Sequence, residues 1–518
     1  MASVVWQALS VPPSHSGVFT SLKPLWEAKL PQFLLTTLWL SLGVGSGVAL
    51  LGVGSAWAVS RYAFPGSHFF KWALLFPLAF PPYLAAYLYT DLLQIGGPIQ
   101  TFLSSWLQTS IVLPSIRTLE GAILVMSFFY FPYVFLLTRD HLDSQNPSLW
   151  ESAKLLGQSE WRMFKSLGVS QVRNSLMAGM AMALMETLGD FGTMEYFAVD
   201  TLATGIYRVW YGQNNKATAA QLAMGLLLLI LILLQMEKRS RKKGGLPSTL
   251  SGPKGLPTVA LTPGKQAIAF LFCSGILLIG FVLPLSYLMY HFSQFLTEHT
   301  LNNIVPELTN SFSLATLSAS FCICIAFVLH SGRGFLHAHS DVRFWHQLSS
   351  VGYAIPGSVM AVGVVWVLGK ADQVFTYVTT SGTVMALVYA HSSRFVAIPL
   401  QALSGARTCS HVREEQASFL LGARPLKTLL KVVLPGSRST LVVAFCLVFI
   451  DSLKELSATV FLRPFHFETM SVKIYLLASD ERLQEASPYA LILVMAGVVS
   501  VILIQLFLYS PRSRTPKP

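Results

Sequence analysis

Glu151-Ser-Ala-Lys-Leu-Leu-Gly157 and Gln416-Ala-Ser-Phe-Leu-Leu-Gly422 are one phrase written twice, 265 positions apart. The same offset pairs Ala153 with Ser418, Leu156 with Leu421, Leu188 with Leu453, Glu186 with Asp451 and Asp190 with Glu455. A register that holds across a polar loop and through the apolar run after it marks an internal duplication. After a short insertion, Thr201…Ile206-Tyr207 matches Thr469…Ile474-Tyr475. Each phrase reads as a short helix, a glycine break and a second amphipathic helix, since glycine ends a helix in a conformation other residues resist. Such a knob suits a groove on a soluble partner; a pair of helices lying in a membrane interface is the plainer alternative.

The surroundings decide the solvent. Of 518 residues, 53% are hydrophobic and 12% charged, with a mean hydropathy of +0.56. Soluble domains carry roughly 25% charged residues, so the missing charge points to lipid. Runs long enough to cross a bilayer, at about 20 residues each, fall at 33–59, 69–93, 119–137, 172–191, 217–234, 267–289, 312–329, 348–368, 384–403, 441–461 and 490–509. The expected fold is an all-α polytopic membrane protein with about eleven transmembrane helices. The net charge of +12 fits Lys and Arg gathered in cytoplasmic loops, and no basic stripe interleaved with aromatics lies outside the spans, so no nucleic-acid partner is expected. Gly43, Gly45, Gly47, Gly52 and Gly54 in the first span suit close helix packing. Cys273, Cys322, Cys324, Cys409 and Cys446 form no disulfide framework. His337, His339 and His346 read as solvated loop residues.

Positive charge sets the orientation. Lys238, Arg239, Arg241, Lys242 and Lys243 after span five, the loop at 333–343, and Arg512, Arg514 and Lys517 all fall on one side under alternating crossing. That side is the cytoplasm, which places the N-terminus outside and both polar knobs inside. Each copy has five core spans, an odd number, so span six is needed to restore parallel orientation. Residues 1–32 then form an extracytoplasmic segment, 33–237 a first membrane domain with its loop at 139–171, and 238–265 a basic linker. Residues 266–509 form a second domain with its loop at 406–438, and 510–518 a cytoplasmic tail.

These loops resemble the Glu-Ala-Ala loop of binding-protein-dependent ABC importer permeases: Glu-Ala-Ala, three residues, Gly, then Leu-Pro. The first copy carries Glu151, Ala153 and Gly157, with Ser152 for the middle Ala and Val169-Ser170 for Leu-Pro. The second carries Glu415 just before Gln416, then Ala417, Gly422 and an intact Leu434-Pro435. Met185-Glu-Thr-Leu-Gly-Asp-Phe-Gly-Thr193, Thr204-Gly-Ile-Tyr-Arg208, Lys454-Glu-Leu-Ser-Ala-Thr459, Leu462-Arg-Pro-Phe465 and Leu476-Leu-Ala-Ser-Asp480 are similar to fused ferric-iron permeases. The resemblance implies two parallel pseudo-repeats of the MetI-like type and coupling helices that dock two copies of an ATPase subunit. It further implies a periplasmic binding protein that hands over Fe(III), and an inner-membrane location. Members usually have twelve spans. The chain itself would bind no cofactor; ATP and Mg would sit on the partner ATPase.

Carboxylates inside spans are costly and face polar interiors. Glu186 with Asp190, and Asp451 with Glu455, are spaced i, i+4 and so are expected on one helix face each. Together they are candidates for a substrate path and for transient oxygen ligation of a hard cation. The structural alternative pairs them with Lys454, Arg208 or backbone groups, Glu455 beside Lys454 foremost. No Gly-x-x-x-x-Gly-Lys-Ser/Thr loop, Gly-x-Ser-x-Gly elbow or His-Glu-x-x-His motif occurs, so the chain is read as a transport subunit and not an enzyme. Other cargoes remain open, namely thiamine, a polyamine or an oxyanion, though an anion path would favour Arg and Lys. A gradient-driven secondary transporter is the rival from another class.

Overall fold

The structure, a computed structural model, describes residues 30–109, 112–145, 147–242, 258–295, 298–335, 352–374, 382–406, 414 and 417–508. Glu415, Cys409, the loop histidines, the C-terminal tail and most of the N-terminal segment lie outside the described residues, as does the greater part of the basic linker. The chain divides into two compact units, residues 11–294 and residues 295–518, the latter grouped with 1–10.

In the first unit the helices run α1 (Leu30–Arg61), α2 (Ser67–Ala73), α3 (Pro82–Leu93), α4 (Pro98–Leu107), α5 (Leu119–Asp143), α6 (Ser148–Leu155) and α7 (Glu160–Met163). Next come α8 (Val169–Gly189), α9 (Gly192–Tyr196), α10 (Leu202–Tyr207), α11 (Lys216–Lys242), α12 (Pro263–Leu277) and α13 (Leu283–Phe295). The glycines of α1 do bring a second helix close. A Cβ on Gly43 would lie 2.5 Å from Ile123 Cδ1, and one on Gly52 would lie 2.6 Å from Val134 Cβ; one on Gly47 would meet Ser127 Oγ. All three contacts are with α5, so bare backbone lets α1 and α5 pack at the shortest range.

The second unit contains α14 (Glu298–Phe335), α15 (Gly357–Val374), α16 (Val384–Phe395), α17 (Ala397–Ala406), α18 (Pro425–Thr428), α19 (Leu434–Gly436) and α20 (Arg438–Lys454). It ends with α21 (Ser457–Leu462), α22 (Met470–Ser479) and α23 (Leu483–Leu508). The duplication reaches further than the phrases that revealed it. Thr118 caps α5 and Thr383 precedes α16 at the same offset. A π-helical turn at Phe164–Gly168 recurs at Leu429–Val433, again 265 positions on. Leu202 N–H donates to Thr37 Oγ1 at 3.1 Å, and Met470 N–H donates to Ser311 Oγ at 2.7 Å. Thus in both units the first long helix offers a hydroxyl to the N-terminus of the same later helix.

Among the described residues six helices are long and apolar enough to cross a membrane, and eight if two bent pairs each count as one span. Every expected span has a helix, but three fall short as single apolar crossings. α8 carries Arg173, Asn174 and Glu186, α15 ends in Lys370 and Asp372, and the run at 384–403 breaks between α16 and α17. The long helices expose Leu35, Trp39, Leu42, Leu50, Ile268, Leu271, Leu317 and Leu506; so much outward apolar surface is stable against acyl chains rather than water.

Span six departs from the expected domain boundary. α12 and α13 belong to the first unit. Phe281 packs on Phe76 and Phe80 with ring centroids 5.2 and 5.8 Å apart, and Phe270 packs on Phe70 at 5.7 Å. Tyr89 Oη donates to the Ile279 carbonyl, and a two-residue parallel bridge joins Tyr62–Ala63 to Val259–Ala260. Phe70 of α2, Phe76 and Phe80 of the turn that follows it, and Tyr89 of α3 present a wall that the unmatched helix covers, so it closes the first half instead of opening the second.

Candidate functional site

The first knob begins where α5 ends at Asp143. Trp150, fully buried at the base of α6, fixes it. Its indole packs 5.5 Å from Trp57 and lies under Arg61, both on α1, while Nε1 donates to Gln145 Oε1 at 2.9 Å. At the far end, Gly157 has φ +73°; its N–H donates to Lys154 O at 3.0 Å, and Gln158 N–H donates to Ala153 O at 3.2 Å. This bond pair is the Schellman closure of a helix, which needs a left-handed residue after the last turn. The second knob repeats it. Gly422 has φ +77°, with Gly422 N–H to Phe419 O at 2.9 Å and Ala423 N–H to Ser418 O at 3.1 Å.

The closure leaves two leucines outside on each knob. Leu155 and Leu156 are 89% and 80% exposed, and Leu420 and Leu421 are 89% and 87% exposed. Inside, Ala153 and Met163 are buried in the first knob, while Ser418 and Thr428 share a 2.9 Å hydrogen bond in the second. Glu151 and Ala417 are exposed on these helices. A groove of about 540 Å³ beside the second knob is lined by Glu414, Ala417, Leu421, Gly422 and Lys427. Pro435 sits in α19, and the helix bends by 65° before α20; proline removes a donor and crowds the preceding turn. At the first copy Val169-Ser170 lack that ring, and α8 runs unbroken from 169 to 189.

The acid pairs do not share a helix face. Asp190 lies one residue past α8 with ψ 101°, and Glu455 one residue past α20 with ψ 114°. Both carboxylates turn back to cap the next short helix. Asp190 Oδ1 accepts from Thr193 N–H at 3.0 Å and Oδ2 from Thr193 Oγ1 at 2.7 Å. Glu455 accepts from Ala458 N–H at 2.9 Å and from Thr459 N–H at 3.1 Å. A carboxylate that accepts from the i+3 backbone N–H caps a helix restart, which the i, i+4 spacing does not reveal.

Backbone N–H groups and Lys454 are partners as expected, but Lys454 takes Asp451 and not Glu455. Lys454 Nζ lies 3.8 Å from Asp451, while Glu455 pairs with Arg394 at 2.9 Å and lies 3.8 Å from His391 Nε2. His391 Nδ1 is 2.7 Å from Ser452 Oγ. Gly357 makes room for this network, since a Cβ there would strike Glu455 Oε1. Arg394 and His391, overlooked in the sequence, were findable as ionisable residues in an apolar run. At the same offset α5 holds Met126 and Phe129, both buried, so the first half has no such cation. Arg208 binds Glu195 at 3.1 Å and also Asp200, not a span acid. Burial alone would lower the pKa of this guanidinium, but its hydrogen bonds and the two acid charges raise it. Glu186 is half-buried. Among the described residues no three His, Cys, Asp or Glu side chains group to hold a metal ion; Asp190 and Glu455 cap helix restarts, and Asp451 and Glu455 stand in ion pairs.

Residues 49–236 match the family described as binding-protein-dependent transport system inner membrane component. Along 499 residues, 95% of this chain and 93% of the relative, the chain is 23% identical to the Fe(3+)-transport system permease protein FbpB 2 of Haemophilus influenzae. It is 27% identical over 149 residues to the sulfate transport system permease protein CysT of Escherichia coli, 29% of this chain and 52% of that one. To the molybdenum transport system permease protein ModB of the same organism it is 26% identical over 211 residues, 39% and 86% of the two chains. With a duplicated knob, a duplicated helix break and outward apolar helices in one polypeptide, the chain carries at residues 49–236 a domain of the binding-protein-dependent inner-membrane transport family, and nearly its whole length is similar to an Fe(3+) permease.

Proposed function

We propose that this permease carries ferric iron, handed over by a periplasmic binding protein, into the cytoplasm, driven by two copies of a separate ATPase. The observation that carries the drive is the pair of knobs, each offering two exposed leucines ahead of a left-handed glycine. Exposed leucine pairs at the tip of a rigid closure gain on entering an apolar cleft, and two of them match two copies of one engine. ATP and Mg belong to that engine. The N-terminus lies outside and the C-terminus in the cytoplasm, following the basic loops. Glu151, Ala153, Gly157, Glu415, Ala417, Gly422 and Pro435 shape the docking surfaces. Glu186 and Asp451 contribute half-buried charge near the path, while Asp190 and Glu455 hold the hinges below which the helices restart. Iron as cargo is supported by the likeness of nearly the whole chain to an Fe(3+) permease.

Cysteines placed at Leu156 and Leu421 should crosslink to the ATPase during turnover, and tags near Trp161 and Arg424 should react only from the cytoplasmic side. Labelling from the periplasm alone would end the importer mechanism. Uptake of Fe(III) by proteoliposomes holding permease, ATPase and binding protein tests the cargo; sulfate or molybdate uptake without iron uptake would replace it.

A further inference from the structure

Span six has no counterpart in the duplication, and it carries a cluster that the importer cycle leaves unused. On α13, Tyr287 and His291 are one turn apart, with ring centroids 4.5 Å apart. Asp91, near the end of α3, faces them. Tyr287 Oη donates to Asp91 Oδ2, and His291 Nε2 lies 3.3 Å from that oxygen. Asp91 Oδ1 accepts from Gln94 Nε2 at 2.7 Å. His291 is only 8% exposed; its Nε2 faces the Asp91 carboxylate, yet among the described residues its Nδ1 makes no hydrogen bond. A buried polar group left so calls for an explanation.

Coordination chemistry offers one. Carboxylate and phenolate are hard donors, and imidazole suits iron. Neighbouring ligands of a six-coordinate ion, at about 2.1 Å each, sit about 3 Å apart, close to the 3.3 Å between His291 Nε2 and Asp91 Oδ2. The Asp91 side chain remains 30% exposed, so an ion can reach it from solvent. We propose that Asp91, Tyr287 and His291 form a binding site for a hard trivalent cation at the outer end of α3 and α13, a staging point ahead of translocation. The proposal rests on the ferric-cargo reading and deepens it. On binding, the Tyr287 hydroxyl proton leaves to solvent and the phenolate oxygen takes the metal in its place, without any change of oxidation state.

The test uses the purified full-length chain in nanodiscs, titrated with Fe(III) citrate and with Ga(III) as a redox-inert probe. Wild type should develop the visible band of a tyrosinate–Fe(III) charge transfer. Y287F should abolish the band, and D91N and H291Q should weaken Fe(III) and Ga(III) binding by roughly tenfold or more, with elution profile and melting unchanged. Failure of wild type to bind either ion overturns the proposal, as does a Y287F chain that keeps the band. Variants that melt earlier but bind as wild type make the cluster a strut between α3 and α13, which also overturns it. Fe(III) uptake by proteoliposomes separates the two readings. Uptake without binding at the cluster removes the site alone. A Tyr287-dependent band in a chain that imports some other cargo upholds the cation site and removes the ferric reading.

Discussion

Replacing Gly157 tests the knob at its most exposed joint. Its φ of +73° lies in the left-handed region, and no atom lies within 4 Å of where a Cβ would go. Alanine therefore meets no clash, and its penalty is backbone alone, about 1–2 kcal/mol. That energy lowers the closed population by a factor of roughly 5–30. Asparagine tolerates this conformation and should do better than alanine; a β-branched valine should do worse. Gly422, at φ +77° with the same empty surroundings, should behave alike, and the effects should sum to about 2–4 kcal/mol if the knobs act independently. The assay is binding of labelled ATPase to the permease in nanodiscs, alongside thermal melting of the permease alone. Affinity should fall in the order Gly, Asn, Ala, Val, while melting hardly moves, because the joint is solvent-exposed. ATPase binding unchanged in G157A and G422A, or equal losses for Asn, Ala and Val, would refute the claim that the left-handed closure presents the leucines.

L155S/L156S and L420S/L421S should each reduce ATPase capture by at least tenfold, since burying one leucine is worth about 1.5–3 kcal/mol, without altering the melting of a chain in which these side chains are already exposed; copurification of the ATPase reads this out. E455A should lower the melting transition strongly, by about 3–5 kcal/mol of stability, because it removes one partner of a buried ion pair, and R394M/E455M should recover much of the loss. G179A should destabilise by about 1–3 kcal/mol, since its Cβ would lie 2.6 Å from Val134 Cα and force α5 and α8 apart, whereas G225A, with nothing within 4 Å, should melt as wild type. T201A and T469A should each cost about 1 kcal/mol as lost helix caps, and equal melting shifts would support the matched roles of these residues.

Read alone, the chain's chemistry determined the solvent, the helical class, the twofold duplication and the two glycine-broken knobs. These rest on hydropathy runs and on a constant offset, which are properties of order along the chain. Contacts between distant segments were decided only by the tertiary structure. Nothing in the run at 267–289 says whether its apolar faces meet the first half or the second; the aromatic wall of Phe70, Phe76 and Phe80 settles it. Spacing placed Asp190 and Glu455 on helix faces because i, i+4 geometry assumes an unbroken helix, whereas their carboxylates gain more by satisfying the free N–H groups of the next one. Likewise nothing in the loop at 139–171 singles out Trp150, and only its packing on Trp57 makes it the bolt of the knob. Local order is dictated by backbone sterics and by the demand of lipid that peptide groups be paired. Which side chains meet across the bundle depends on packing among many residues at once, and no single stretch of sequence contains that information.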